Sequence, residues 1–110
     1  MQALRLYGAN DLRLDDLPIP EVPAGGLLVK VSGCSICGSS HGMTLPVTLG
    51  HELSGVIDKV SDGVTEYTVG QRVVLSALVP CGICEYCLRG MQNMCNHKEA
   101  LSYQYAGGFA

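Results

Sequence analysis

Gly50-His51-Glu52-Leu53-Ser54-Gly55-Val56-Ile57-Asp58-Lys59-Val60 is the stretch on which the reading of the fold turns. From Leu53 to Val60 its leucine and β-branched residues suit a pleated, half-buried strand. Gly55 lies inside that strand, and a glycine there marks a place where another backbone passes close. His51 and Glu52 stand at the strand's start, two side chains able to bind a metal or move a proton. Taken alone, His51 also reads as a strand-end histidine with an ordinary hydrogen-bond partner, and Glu52 as a solvated carboxylate.

Working outward, strand signals recur at short intervals. Met1 to Tyr7 is short and apolar enough for an opening strand, Gly8 to Asp11 is a turn cluster, and Leu12 to Leu17 reads as a second strand, so the two predict a hairpin. Pro18, Pro20 and Pro23 forbid regular pairing, which makes Pro18 to Gly26 an extended connector. Leu27 to Val31 is a strong strand that ends at Gly33. Downstream, Val64 to Val69 leads into a turn at Gly70, and Gln71 to Val79 reads as one long apolar strand buried on both faces, because it does not alternate. Ala100 to Ala110 reads as a turn entering another strand. Strands at regular spacing, glycine turns and no convincing helix predict a mainly β, barrel-like body.

Between Pro80 and about His97 the pattern breaks into a loop excursion holding Cys81, Cys84, Cys87 and Cys95, separated by two, two and seven residues. Two Cys-x-x-Cys steps sharing Cys84 bring three thiolates onto one ion, and Cys95 closes a tetrahedron. Four thiolates with no open position are the pattern of structural zinc, which holds chain together and does no chemistry. Four thiols also allow disulfides or an iron–sulfur cluster. Crossed bridges suit the repeated two-residue spacing poorly, and the Cys-Pro step at three-residue spacing usual for the cluster is missing.

A second crowd of reactive groups, Gly33-Cys34-Ser35-Ile36-Cys37-Gly38-Ser39-Ser40-His41-Gly42, follows the strand at Leu27. Cys34 and Cys37 form another Cys-x-x-Cys, which permits a redox pair or a further metal knuckle; no βαβ pattern surrounds it to support a thioredoxin-like role.

Composition narrows the field. A chain of 110 residues with 47% hydrophobic content suits one domain with a small core. One phenylalanine and no tryptophan make that core aliphatic. The net charge of −3 is scattered, without the basic stripe that nucleic-acid phosphates require. No apolar run reaches the length of a bilayer span, and the opening Met-Gln-Ala-Leu-Arg-Leu lacks the apolar region of a signal peptide. The expectation is a soluble cytoplasmic protein with no nucleic-acid or membrane partner, whose six cysteines are reduced thiols or metal ligands.

Gly-His-Glu-x-x-Gly followed by a hydrophobic strand resembles the signature of the zinc-dependent alcohol dehydrogenases of the medium-chain dehydrogenase/reductase superfamily. The neighbouring segments agree in order: Leu28 to Val31 leading into Cys34 to Ser39, the turn Gly70-Gln71-Arg72-Val73, the four-cysteine lobe and Gly107-Gly108-Phe109-Ala110. The resemblance covers nearly the whole chain. It implies a GroES-like, partly open β-barrel over residues 1–110, the catalytic domain of such an enzyme, with a structural zinc lobe at 80–97.

The same resemblance implies that Cys37 and His51 bind a catalytic zinc, with Glu52 as a third ligand or just behind it. It makes Ser39 the first step of a proton relay that His41 extends, and gives Cys34 no ligand role. A zinc with an open position lowers the pKa of an alcohol, so that the hydroxyl proton leaves near neutral pH while hydride passes to a nicotinamide ring. The implied substrate is a small alcohol or polyol and the implied cofactors are zinc and NAD(P); a homo-oligomer is what the resemblance allows for a full-length form. Several positions depart from the family pattern. Ser40 stands where an aspartate is usual, His41 comes one place early, the segment from Cys37 to His51 is short, and Ser61 and Gln71 replace a glycine and an aspartate.

The family's dinucleotide sits on a Rossmann domain with a Gly-x-Gly-x-x-Gly turn, and no such unit occurs in these residues. A Rossmann domain is therefore expected to be absent from this chain, which reads as a truncated catalytic domain inactive by itself. Two rival readings remain: a zinc-stabilised structural or binding module whose catalytic site has decayed, and a redox protein using Cys34 and Cys37.

Overall fold

The computed structural model describes residues 1–38 and 42–110. The opening hairpin forms as expected, from β1 (Gln2–Gly8) and β2 (Asp11–Asp16), with Leu4 opposite Leu14 and Leu6 opposite Leu12. Asn10 makes the turn at φ 60°, a left-handed conformation that asparagine tolerates. On one face of the hairpin, Tyr7 donates its hydroxyl proton to Asp15 Oδ2 at 2.6 Å, and the Arg13 guanidinium lies 4.4 Å from the Tyr7 ring centre. β4 (Val47–Thr48) pairs with the other edge of β1, giving the sheet order β2-β1-β4.

The second sheet is antiparallel, in the order β3-β5-β6, from β3 (Leu27–Cys34), β5 (Leu53–Val60) and β6 (Arg72–Val74). β5 occupies the centre and has the bounds read from the sequence. Its Leu53, Gly55 and Ile57 turn inward and are buried. Gly55 faces the β3 backbone so closely that a Cβ would stand 2.4 Å from the Lys30 carbonyl oxygen. β3 runs past Val31 to Cys34, because Cys34 still pairs with Leu53.

The long strand read from Gln71 to Val79 is a misreading. β6 ends at Val74 and a separate β7 covers Leu78–Val79. Among the described residues β6 pairs with β5 alone, and Val74 is 84% exposed. At Ser76 the hydroxyl accepts the Leu78 amide at 3.2 Å, a local bond that competes with the sheet and turns the chain away. β7 then pairs with β8 (Glu99–Ala100) as a two-stranded ribbon at the base of the four-cysteine lobe. The lobe is more than loop: it carries one helical turn, α1 (Glu85–Leu88), and a 3-10 turn at Gln92–Met94.

The final segment does not become a regular strand. Gly107, Gly108 and Phe109 donate their amides to the carbonyls of Thr48, Leu49 and Gly50 in a crossed order, Gly107 to Thr48 (2.9 Å), Gly108 to Gly50 (2.8 Å) and Phe109 to Leu49 (2.9 Å), while the Phe109 carbonyl accepts the Leu4 amide at 2.7 Å. This return ties the β1 sheet to the peptide that enters β5. The result is a mainly β, partly open barrel.

Its core is small: among the described residues, Ala3, Val47, Leu53 and Ile57 are the buried apolar side chains outside the lobe, joined by Thr48 and Ser102. The accessible surface of 7428 Å² exceeds the ~5800 Å² that a compact monomer of this mass exposes. With so little burial, paired backbone carries a large share of the order. Among the described residues no helix is long and apolar enough to cross a membrane.

Candidate functional site

Two clusters of metal-ligating side chains emerge among the described residues, and both consist of residues singled out in the sequence. In the lobe, α1 presents Cys84 at its N-cap and Cys87 within its single turn, while Cys81 and Cys95 approach from either end of the excursion. The sulfurs of Cys84 and Cys87 are 3.5 Å apart, those of Cys84 and Cys95 3.8 Å, and those of Cys95 and Cys81 3.5 Å. A tetrahedron of Zn–S bonds of ~2.3 Å has edges of ~3.8 Å, so the four thiols are already spaced for one ion. None of the six cysteines is in a disulfide, against the bridged alternative.

Backbone donors prepare this cage for negative charge. The amides of Cys81 and His97 point at Cys95 Sγ from 3.3 and 3.4 Å, and they hold that thiol below its ordinary pKa. The amides of Cys87 and Asn96 do the same for Cys84, drawing it down to about 6. Burial, helped by the hydrogen bond with Cys84, pushes Cys87 up to about 12. Protons are therefore unevenly shared in the cage, and a cation that takes up all four sulfurs displaces those that remain.

The second cluster is built by the pairing of β3 with β5. Cys34 opposite Leu53 is the last pair of the ladder, and the next residue, Ser35, donates its amide to the Glu52 carbonyl at 2.8 Å. The chain that leaves β3 thus runs alongside the one that enters β5, and the ligating atoms of Cys37, His51 and Glu52 all fall within 4.8 Å of one another. Thiolate, imidazole and carboxylate from three residues are a donor set that zinc accepts at catalytic sites. Cys37 and His51 are half-buried and Glu52 is exposed.

Two hollows meet at His51. One of about 640 Å³ is bounded by Ser35, His51, Glu52, Val74 and Leu75 and opens widely to solvent. The other, about 160 Å³, lies between Ile36, Cys37, Leu49, His51 and Phe109. Cys34 lines the larger one, and burial pushes its thiol up. That shift keeps it protonated and poorly nucleophilic, which weighs against a redox role. Ser39 and His41, the expected relay, lie outside the described residues.

Sequence reasoning passed over Gly50 and Phe109 as parts of motifs with no role of their own. Gly50 is at φ 99°, and a Cβ on it would lie 2.6 Å from Cys34 Sγ and 2.9 Å from Phe109 Cδ1. The only signal in the sequence was the glycine before His51, and nothing there indicates which residues press on it.

Fold and clusters together describe a β-barrel domain with two groups of side chains that could each hold a metal ion, one a set of four thiols and one beside an open hollow. The chain belongs to the family described as the alcohol dehydrogenase GroES-like domain, whose model matches residues 23–110. Among its relatives, a sorbitol dehydrogenase of Bombyx mori is 39% identical over 114 residues, covering 94% of this chain and 33% of that protein. Galactitol-1-phosphate dehydrogenase of Escherichia coli superposes with a TM-score of 0.91 at 31% identity, over 100% of this chain and 34% of that one. An alcohol dehydrogenase of Escherichia coli CFT073, solved with its cofactor NADH, gives 0.88 at 36% identity over 99% and 34%. The chain spans about a third of the length of the relatives it matches.

Proposed function

We propose that residues 1–110 form the metal-bearing catalytic domain of an NAD(P)-dependent alcohol or polyol dehydrogenase, with the lobe at 80–97 as its structural zinc site. The observation that carries this reading is the convergence of Cys37, His51 and Glu52 beside an open hollow, in a chain of this family. A zinc ion held by those three residues supplies a Lewis acid that makes an alcohol proton easier to lose.

The chain's own groups then have defined tasks. Cys37 and His51 would hold the ion from the half-buried side, with Glu52 as the third ligand on the exposed side. The larger hollow, bordered by His51 and Glu52, is wide enough for a small alcohol. Ser39 takes the hydroxyl proton and His41 passes it toward solvent. NAD(P), bound elsewhere in such an enzyme, would supply the hydride acceptor for oxidation of the alcohol to an aldehyde or ketone. These 110 residues contain no glycine fingerprint for that cofactor, and by themselves they are expected to show no turnover.

Metal content tests the reading. The chain should bind two zinc ions, and Cys37→Ser should bind one while the lobe keeps its own. One ion in the unmodified chain would instead favour a zinc-stabilised module with a decayed site. Activity is tested by substituting this chain for the matching third of the Bombyx mori sorbitol dehydrogenase and following NAD(P)-linked oxidation of polyols. Turnover that Cys37→Ser abolishes supports the assignment; a folded chimera holding two zinc ions but inert toward every alcohol tried counts against it.

A further inference from the structure

His51 is gripped from both sides along the backbone. The carbonyl of the preceding Gly50 accepts the Gly108 amide at 2.8 Å, and the carbonyl of the following Glu52 accepts the Ser35 amide at 2.8 Å. One restraint comes from the far end of the chain, the other from the loop that leads to Cys37. Side chains reinforce the first. Cys34 Sγ, the Phe109 ring and the Gly108 nitrogen crowd the point where a Gly50 Cβ would stand, at 2.6, 2.9 and 3.1 Å. Neither Cys34 nor Phe109 belongs to the ligand cluster. Phe109 also walls the smaller hollow, together with Cys37 and His51.

We infer that Cys34 and Phe109 are positioning residues that clamp Gly50 and so set the separation of the Cys37 and His51 ligand atoms. The inference rests on the reading of Cys37, His51 and Glu52 as a metal site. Its physical basis is the steep dependence of coordination on geometry, since a ligand must arrive within a few tenths of an ångström of its bond length. Gly50 at φ 99° has no side chain of its own to hold it in place, so its position depends on what packs against it. Removing the Phe109 ring leaves a void against Gly50 and lets the peptide before His51 shift. The lobe shares none of these contacts and serves as an internal control.

Cobalt(II) titration of the 110-residue chain reads both sites, because tetrathiolate and mixed-ligand cobalt differ in absorption. Phe109→Ala should weaken cobalt binding at the Cys37 site at least tenfold and shift its visible bands, with the tetrathiolate bands of the lobe unchanged. Phe109→Leu, which refills most of the volume, should restore most of the affinity. If Phe109→Ala does not fold, Cys34→Ala withdraws the other side-chain contact at Gly50 and carries the same expectation. Unchanged affinity and bands at the Cys37 site, or equal weakening of both sites, would overturn the clamp. An unmodified chain that shows only tetrathiolate cobalt would overturn the metal-site reading, and the clamp with it.

Discussion

The amide of Ser35 donates to the carbonyl of Glu52 at 2.8 Å, one step beyond the last pair of the β3–β5 ladder. A sheet bond therefore reaches into the ligand cluster, and whatever loosens the ladder must loosen the site. Gly55 is the narrowest point of that ladder. Gly55→Ala would place a methyl group 2.4 Å from the Lys30 carbonyl oxygen and 2.6 Å from Val29 Cγ1. Overpacking against backbone costs about 1–3 kcal/mol. The expected result is a lower urea midpoint together with weaker metal binding at Cys37 and His51; an unaltered midpoint would show that the strands do not approach so closely.

Ser102 offers the opposite case. It is fully buried, takes φ 65°, and its hydroxyl has no hydrogen-bond partner among the described residues. A left-handed conformation costs a non-glycine residue ~1–2 kcal/mol, and an unpaired buried hydroxyl a comparable amount. Against this stands the ~0.5–1 kcal/mol of extra chain entropy that glycine gives the unfolded state. Ser102→Gly should therefore stabilise the chain by about 1 kcal/mol, a rise in Tm of several degrees for a domain of this size. A drop in Tm would mean that the hydroxyl is satisfied or that its packing matters more than the strain.

Removing metal from the lobe should be a local event. α1 has four residues, too few to persist without its thiolate cage. With a strong chelator, hydrogen exchange at the amides of Cys81 and His97, both held by Cys95 Sγ, should rise sharply, while the β3–β5 amides keep their protection. Equal loss of protection in both regions would mean that the lobe supports the barrel. Thiolates and protons compete for the same lone pairs, so zinc retention should also fall as the pH is lowered.

The hairpin should weaken in alkali. The hydrogen bond to Asp15 raises the Tyr7 pKa above 10.0, so the folded chain holds the phenolic proton more tightly than the unfolded one. Stability from this group is complete below pH 10 and is lost as the pH climbs through the folded-state value. Tyr105, bonded to Glu99 at 2.5 Å, has the same sign and the same window. Tyr7→Phe should lower stability at neutral pH slightly and reduce the alkaline decline in step. A decline of the same depth in Tyr7→Phe would assign it elsewhere.

What the sequence made legible was what neighbours along the chain determine. The pattern from Leu53 to Val60 specifies its own strand, the turn at Ala9-Asn10 makes the hairpin, and the cysteine spacing makes the cage. The strand read across Gln71 to Val79 failed because its break depends on a missing second neighbour for β6 and on the Ser76 hydroxyl, neither of which periodicity records. Cys37 and His51 were reached through resemblance to a family; spacing alone does not pair them. The roles of Gly50 and Phe109 were out of reach, since they arise where three distant segments meet and leave only a glycine and an aromatic in the sequence.

The two backbone restraints on His51 bear on how this domain tolerates change. The carbonyls before and after His51 are held by Gly108 and Ser35, two residues outside the connection between Cys37 and His51. Those two backbone bonds, on either side of His51, do not depend on how many residues join the two ligands. A segment shorter than the family's usual length therefore leaves the backbone hold on His51 in place, because that hold is made by strand β3's exit and by the return at Gly108.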